Sequence, residues 1–394
     1  MTDPAEAHPE TLLYQQRTLY NLPMPFDMHD FPQASRMDRA ATRQGRRLVA
    51  IWLFTVAAMI LVMIVLGGAT RLTGSGLSIM EWAPLMGALP PATDAEWQRL
   101  FALYQNIPQY TLMNEGFGIE GFKHIFWLEW THRLWGRLIG VVFLLPLLWL
   151  GATGRIERHL LPRLGLLFIL GGLQGAVGWF MVASGFMPDT TAVSPYRLVI
   201  HLALALTLYA AIVWTGLSAL HPVRIRQAVP RYLRPLAFAA LGAVGLTIIA
   251  GGFTAGLHAG LTYNTFPLMD GRLVPDGYAM LHPLFRNFTE NVATVQFDHR
   301  LLATVTLVLV TSLAAVGWNA GLPRVLMICL SAAVLGQYTL GVTTLLMVVP
   351  VSVATLHQGG AVILLTVLLV LVHHLSAAPR HHIVTQPPVE TSIT

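Results

Sequence analysis

Eight apolar stretches, each close to the ~20 residues that a helix needs to cross a bilayer, constrain this chain more than any other feature. Their predicted bounds are Leu48–Gly68, Phe126–Leu150, Leu164–Ser184, Pro195–Leu220, Leu236–Ala255, Val295–Trp318, Val325–Val348 and Val351–Leu375. Only 11% of the 394 residues are charged, against about 25% in a soluble globular domain. We therefore expect an all-α polytopic membrane protein with eight transmembrane helices, and a water-soluble enzyme is excluded. The single cysteine, Cys329, excludes an intramolecular disulfide framework and a Cys-rich metal site.

The positions of the arginines predict the orientation of the chain. Arginines cluster before the first span, between spans two and three, and between spans four and five. Because positive residues collect on the cytoplasmic side, both termini should be cytoplasmic, in a bacterial inner membrane. The net charge of +5 is explained by this arrangement, so we expect lipid and no nucleic acid around the chain.

Two long segments, about 69–125 and 256–294, then lie on the outer side. The first contains Thr93-Asp94-Ala95-Glu96, a capping-box pattern that predicts a short helix on the outer surface. An irregular loop is the alternative.

The chain also contains an internal repeat. Matching residues occur in the same order in both halves, namely Gly67-Gly68 and Gly251-Gly252, His132-Arg133-Leu134 and His299-Arg300-Leu301, Gln174 with Gly178 and Gln337 with Gly341, and His201 and His357. These matches predict two pseudo-symmetric four-helix bundles. An even number of spans in each half makes the repeat parallel rather than inverted.

The predicted organisation follows from this repeat and from the arginine clusters. It comprises a cytoplasmic N-terminal tail 1–47, a first bundle 48–220, a basic cytoplasmic linker 221–235, a second bundle 236–375 and a cytoplasmic C-terminal tail 376–394.

Four histidines carry the predicted chemistry. His132, His201, His299 and His357 each lie near the outer end of a span, about 6–10 Å deep at ~1.5 Å per residue. Ionisable residues inside a membrane are costly and usually functional, although one buried histidine by itself is more often a packing residue. Two opposed imidazoles in an apolar bundle can hold a flat macrocycle with its iron between them. We therefore predict a haem-sized pocket in each half, close to the periplasmic side.

Charged neighbours differ between the two pockets. Glu129 lies three residues before His132, on nearly the same helix face, whereas the equivalent residue in the second half is Gln296. A carboxylate can act as a general base or stabilise positive charge, but an amide can only form hydrogen bonds. This asymmetry predicts that the first half performs chemistry and the second holds a fixed cofactor. The alternative is that Glu129 only pairs with Arg133 or with an arginine of the outer loop.

Arg133 and Arg300 directly follow two of the histidines. Their guanidinium groups could pair with haem propionates. They could equally extend to the outer membrane interface, and both alternatives stay open.

Several motifs together resemble those of the haem A synthase family. They are Gly-Gly-x-Thr-Arg-Leu-Thr-Gly-Ser-Gly at 67–76, Glu-Trp-Thr-His-Arg-Leu-Trp-Gly-Arg-Leu-Ile-Gly at 129–140, His201, Asp-His-Arg at 298–300 and Leu-His-Gln at 356–358. The resemblance covers about residues 45–375. It implies a haem b cofactor and oxidation of the C8 methyl group of haem O to a formyl group, giving haem A for terminal oxidases. It also implies a haem O synthase (protohaem farnesyltransferase) and a membrane electron acceptor as partners.

The resemblance also assigns roles to individual residues. It implies that His132 and His201 line the substrate haem site, that His299 and His357 ligate haem b, and that Glu129 is the catalytic carboxylate. Many family members carry a cysteine pair in the first outer segment, but residues 69–125 contain none. The chain therefore resembles the cysteine-free branch of proteobacteria and mitochondria.

Two other functions fit a haem-binding membrane bundle. One is a bis-histidine cytochrome b that only transfers electrons, and the other is a haem carrier or chaperone. A transporter needs a polar path through both leaflets, whereas spans two, four, six and eight are apolar over their inner two-thirds. This apolar character argues against transport.

Overall fold

The computed structural model describes residues 31–84, 86–220 and 229–376, with side chains from residue 43 onward. Most of the predicted tails and of the basic linker lies outside these described residues. The chain divides into two compact units, Met1–Gly45 and Arg46–Thr394. The candidate site belongs entirely to the second unit, within which the following contacts are described.

Within the described residues the regular structure is helical. The helices are α1 (Phe31–Leu72), α2 (Asp94–Tyr104), α3 (Pro108–Met113), α4 (Ile119–Ala152), α5 (Leu161–Val182), α6 (Pro195–Leu220), α7 (Leu233–Gly256), α8 (Asn287–Glu290), α9 (Val292–Asn319), α10 (Arg324–Leu346) and α11 (Val351–Leu375). Eight of them, α1, α4 to α7 and α9 to α11, are long and apolar enough to cross a membrane. The prediction of an all-α multi-pass membrane protein is confirmed.

Several helix ends differ from their predicted positions. Helix α1 runs from Phe31 to Leu72 and extends beyond the predicted span Leu48–Gly68 at both ends. Helix α4 begins at Ile119 rather than near Phe126, because its first turns pack their aromatic rings against Trp97 of α2. Helix α10 ends at Leu346, because Val348 and Val349 have φ angles of 59° and 58° and so leave the helical conformation.

The short helix that the capping box predicts is present as α2, while its place on the outer surface stays a prediction. The hydroxyl oxygen of Thr93 accepts a hydrogen bond of 3.3 Å from the backbone N–H of Glu96, as a capping residue does. The buried side chains of this outer segment form their own core, which is largely aromatic and includes Leu77, Trp97, Tyr104 and residues of α4. This second core holds the outer segment onto the outer end of α4.

The main core lies between the long helices. Its fully buried members include Leu53, Leu164, Leu233, Leu313 and Leu368. Helices α6, α7 and α11 pack against one another, which joins the two repeats along the middle of the unit. Many large apolar side chains on the outside of the long helices stay exposed, as expected for helices surrounded by lipid. The division into two pseudo-symmetric bundles stays a prediction.

Candidate functional site

Each of the four predicted histidines packs over a glycine of a neighbouring helix. His201 on α6 lies over Gly178 of α5, and His357 on α11 lies over Gly341 of α10. In both places a Cβ atom on the glycine would stand 2.8 Å from the Cε1 atom of the imidazole, which is too close for any real side chain. The absence of a side chain at these two positions therefore makes room for the ring.

The other two histidines use the glycines at the outer ends of α1 and α7. His299 on α9 lies over Gly251, where a Cβ atom would be 2.9 Å from Cε1. His132 on α4 lies over Gly67, where a Cβ atom would be 3.2 Å from Nε2. The repeated glycines thus have a steric role in the site.

The histidines of the second half face each other. The ring centroids of His299 and His357 are 6.5 Å apart, and the ring planes are at 81°. Metal-bound imidazole nitrogens lie about 2 Å from the metal, so this separation leaves space for one iron between the rings. The pair therefore fits a haem held from both sides.

Hydrogen bonds orient both rings of this second pair. The Nδ1 atom of His299 lies 3.1 Å from the carbonyl oxygen of Thr247. Donation from Nδ1–H leaves Nε2 with a lone pair for a metal. The Nδ1 atom of His357 lies 3.1 Å from the amide nitrogen of Gln337, which also donates to the His357 carbonyl at 2.9 Å.

The histidines of the first half are less constrained. His132 and His201 are close enough to interact electrostatically. Among the described residues, the imidazole of His132 has no hydrogen-bond partner, and the buried Nδ1 atom of His201 has none either. The nearest contact to His201 Nε2 is the amide nitrogen of Gln174 at 3.4 Å. The first pair can therefore adjust its rings more easily than the second.

Metal-capable side chains occur in pairs rather than in larger groups. In the part of the chain that the structure describes, no three His, Cys, Asp or Glu residues cluster so that they could hold a metal ion. An arrangement with two ligands per site suits haem iron, whose remaining ligands come from the porphyrin.

Glu129 is buried, with 2% of its surface exposed, and both carboxylate oxygens are occupied. Oε1 accepts from Arg133 Nη2 at 2.6 Å and Nε at 3.0 Å. Oε2 accepts from the N–H and hydroxyl of Ser78, both at 2.7 Å, and from the N–H of Ile79 at 2.9 Å. A proton could reach this carboxylate only if one of these bonds broke.

The guanidinium groups that follow the histidines hold the outer segments. Arg133 donates to the carbonyls of Ile79 at 2.6 Å and Glu81 at 3.0 Å. At the matching place, Arg300 donates to the carbonyls of Tyr263 at 2.5 Å and Thr265 at 2.8 Å. Each arginine thus ties a loop to the helix that carries a histidine.

Gln296 helps to hold the second loop beside Arg300, as Glu129 helps to hold the first loop beside Arg133. Its amide nitrogen donates to the carbonyls of Ala259 at 2.9 Å and Thr262 at 2.7 Å, and its oxygen accepts from Arg300 at 3.2 Å. Glu129 accepts from the first loop, whereas Gln296 donates to the second. A carboxylate therefore suits the first loop, which offers N–H and O–H donors, and an amide suits the second loop, which offers carbonyl acceptors.

Sequence reasoning missed Thr247 and Arg71. Thr247 orients His299 through a backbone carbonyl, which leaves no signal in the side-chain pattern. Arg71 lies in the last turn of α1 and donates from Nη2 to the carbonyl of Ala255 on α7. Its sequence signals are its place in the motif at 67–76 and its position four residues after a repeated glycine.

Comparison with known proteins gives consistent similarities. A family model described as cytochrome oxidase assembly protein matches residues 50–369. The chain is 64% identical to a heme A synthase of Granulibacter bethesdensis over 321 residues, which are 81% of this chain and 85% of the relative. It is 49% identical to a heme A synthase of Rhodospirillum centenum, covering 80% and 85% of the two chains. A heme A synthase 2 of Acidiphilium cryptum is 47% identical, with 82% and 90% covered.

Proposed function

The chain belongs to the haem A synthase family of cytochrome oxidase assembly proteins, and from this premise we propose that it oxidises the C8 methyl group of haem O to a formyl group. The product, haem A, would serve terminal oxidases. The observation that carries the proposal is the packing of four histidines over four repeated glycines, two in each half of the chain, which is the ligand set that two haem groups would need.

The second half is proposed to hold haem b. His299 and His357 would hold it, since their ring centroids are 6.5 Å apart and His299 is oriented by the carbonyl of Thr247. Donation from Nδ1–H to a carbonyl fixes ring orientation and raises the basicity of a ligand. The contact of His357 with Gln337 is different, because an amide nitrogen is a donor, so binding of a metal by Nε2 of His357 would require Nδ1 to carry the proton and Gln337 to release this contact. When bound, haem b supplies a one-electron acceptor for the electrons removed from the substrate.

The first half is proposed to bind the substrate haem between His132 and His201. These rings have fewer hydrogen bonds among the described residues than those of the second half. A site that must take up haem O and release haem A benefits from ligands that adjust without breaking strong bonds.

Glu129 is proposed to receive a proton, or to stabilise positive charge, next to the reacting methyl group. Both functions need at least one free oxygen. Outward movement of the segment that contains Ser78 and Ile79 would free Oε2, while Arg133 would keep Oε1. In this proposal the outer segment opens as the substrate enters.

Arg133 and Arg300 have few free hydrogen-bond donors for haem propionates while they hold their loops. All Arg133 nitrogens donate to Glu129 or to loop carbonyls. Arg300 keeps one buried donor, Nε, without a partner among the described residues. We propose that each could bind a propionate only after releasing part of its loop.

The proposed location is a bacterial inner membrane, with cytoplasmic termini and both haem sites near the periplasmic side. The arginine distribution supports this orientation. A haem O synthase is the proposed source of substrate, because so hydrophobic a molecule is best transferred within the membrane. A membrane electron acceptor is the proposed partner that would take up the electrons removed from the substrate.

The test is the haem content of membranes from a host that makes no haem A. The host co-expresses a haem O synthase with or without this chain, and extracted haems are separated by chromatography. Haem A should appear only with the chain, and a His132→Ala variant should abolish it. Unchanged haem O together with haem b on the purified protein, in a host with a competent electron acceptor, would instead indicate an electron-transfer cytochrome or a carrier.

A further inference from the structure

Arg71 is a partly buried cation that has no acidic partner among the described residues. Its Nε atom is inaccessible to solvent and has no hydrogen-bond partner among the described residues. The guanidinium makes one hydrogen bond, from Nη2 to the carbonyl of Ala255, and no described acidic residue forms an ion pair with it. A desolvated charge that is not paired is costly, so a residue in this state implies an anionic ligand.

The two arginines beside the histidines do not share this property. Arg133 pairs with Glu129 at 2.6 Å, and Arg300 donates to two loop carbonyls and to Gln296. Their guanidinium groups serve mainly to hold the outer segments. Arg71 is the better-placed donor for a ligand because less of its hydrogen-bonding capacity is used.

The position of Arg71 is also suited to both haem sites. It follows Gly67, which lies under His132, by four residues, so it is on the same face of α1 and about 6 Å further out. Ala255, which accepts from Arg71, follows Gly251 under His299 by the same spacing. The guanidinium thus lies just outside the histidine layer and contacts both halves of the molecule.

His258 is the titratable neighbour of Arg71. It lies just after α7, is exposed, and has a φ angle of 53°. Partial burial and the nearby Arg71 guanidinium hold the pKa of His258 below its ordinary value. A carboxylate entering this place would meet a positive charge and a histidine, and no described ion pair would compete with it.

We propose that Arg71 binds a propionate group of a bound porphyrin through the donors that Ala255 does not use. This inference rests on the proposed haem-binding function. A porphyrin held by histidines in an apolar layer must direct its two carboxylates toward the outer surface. A guanidinium one turn further out binds such a carboxylate by charge-assisted hydrogen bonds.

The experiment compares ferric haem b with its dimethyl ester, which lacks the negative charges. Purified full-length protein in detergent, stripped of haem, is titrated with each ligand, and the dissociation constant is measured from the Soret band. Arg71→Gln should weaken binding of the free acid about 10- to 100-fold, the range expected for a hydrogen bond to a charged group. Binding of the ester should not change.

Four further variants complete the test. Arg272→Gln removes an exposed loop arginine paired with Asp276 and should leave both affinities unchanged. Arg71→Lys keeps the charge and should retain part of the preference for the acid, provided the protein folds. Repeating Arg71→Gln with His132→Ala or with His299→Ala identifies which haem the arginine serves.

The outcomes separate this inference from the proposed function. An equal loss of acid and ester binding in Arg71→Gln would assign Arg71 a purely structural role and overturn the inference. The absence of any change would overturn it too. If the unmodified protein bound neither ligand, the proposed haem function itself would fail.

Discussion

Three of the glycines under the histidine rings, Gly178, Gly251 and Gly341, have no room for a side chain, because the imidazole lies within 3.0 Å of where a Cβ atom would be, whereas at Gly67 the distance is 3.2 Å. At Gly341 that atom would lie 2.8 Å from Cε1 of His357. The same helix contains Gly336, where a Cβ atom would meet nothing within 4 Å. The two positions in α10 therefore offer a matched pair of alanine substitutions.

We expect Gly341→Ala to displace His357 and to remove the low-spin spectrum of a haem held by two histidines. Gly336→Ala should leave that spectrum intact, since it adds only a methyl group to open space. Optical and paramagnetic-resonance spectra of the purified variants test this. A normal low-spin signal in Gly341→Ala would show that His357 is not a ligand.

The second prediction at this scale concerns Glu129. Glu129→Gln keeps the shape of the side chain but loses its charge and one acceptor oxygen, so either Arg133 or the Ser78–Ile79 segment loses its partner. Loss of a hydrogen bond to a charged group costs about 1.5–3 kcal/mol, and we expect a lower unfolding temperature. We also expect haem b to remain bound while haem A formation stops.

A matched control distinguishes a catalytic role of Glu129 from its role in holding the outer segment. Gln296→Ala removes the residue that holds the outer segment at the equivalent place in the second half, where no carboxylate is present. This change should lower stability without stopping haem A formation. Haem extraction and thermal unfolding of both variants make the comparison. Normal haem A production by Glu129→Gln would refute a catalytic role for the carboxylate.

At the scale of elements, each outer segment is attached to the helix that carries a histidine. On α9, Arg300 donates to the carbonyls of Tyr263 and Thr265, so the segment cannot lift without breaking these bonds. We expect Arg300→Gln to increase hydrogen exchange in residues 259–265 at least tenfold, since losing a hydrogen bond to a charged group costs more than 1.4 kcal/mol.

Arg272→Gln is the control for this measurement. The Arg272–Asp276 pair lies in the same outer segment, but 65% and 75% of its two side chains are exposed. Exposed ion pairs contribute little stability, so exchange should stay near that of the unmodified protein. Equal protection in Arg300→Gln and Arg272→Gln would mean that the aromatic and apolar contacts, rather than Arg300, hold the segment.

At the scale of the whole molecule, the orientation in the membrane can be tested with cysteine labelling. The chain has one cysteine, Cys329, so Cys329→Ser provides a clean background. An impermeant maleimide should label Glu115→Cys in intact spheroplasts and should label Arg226→Cys only after lysis. The reverse pattern would contradict cytoplasmic termini and a periplasmic haem layer.

Part of the site was predictable from sequence, because it depends on patterns within single helices. The eight spans follow from apolar length, and the four histidines follow from their place in repeated motifs. The extent of α4 was not predictable, since its first turns are stabilised by Trp97 of another helix. The hydrogen bond from His299 to Thr247 was also hidden, because any residue type presents a backbone carbonyl.

By itself, the sequence determined the all-helical membrane architecture and the identity of the candidate ligands. Both depend on properties that residues carry along the chain, namely hydropathy, charge and side-chain type. Only the tertiary structure decided which groups are already engaged, as with the carboxylate of Glu129, and which atoms have no partner among the described residues, as with Nε of Arg71. A hydrogen bond joins residues that are distant in sequence and needs a particular distance and direction, and those are set only when the helices pack.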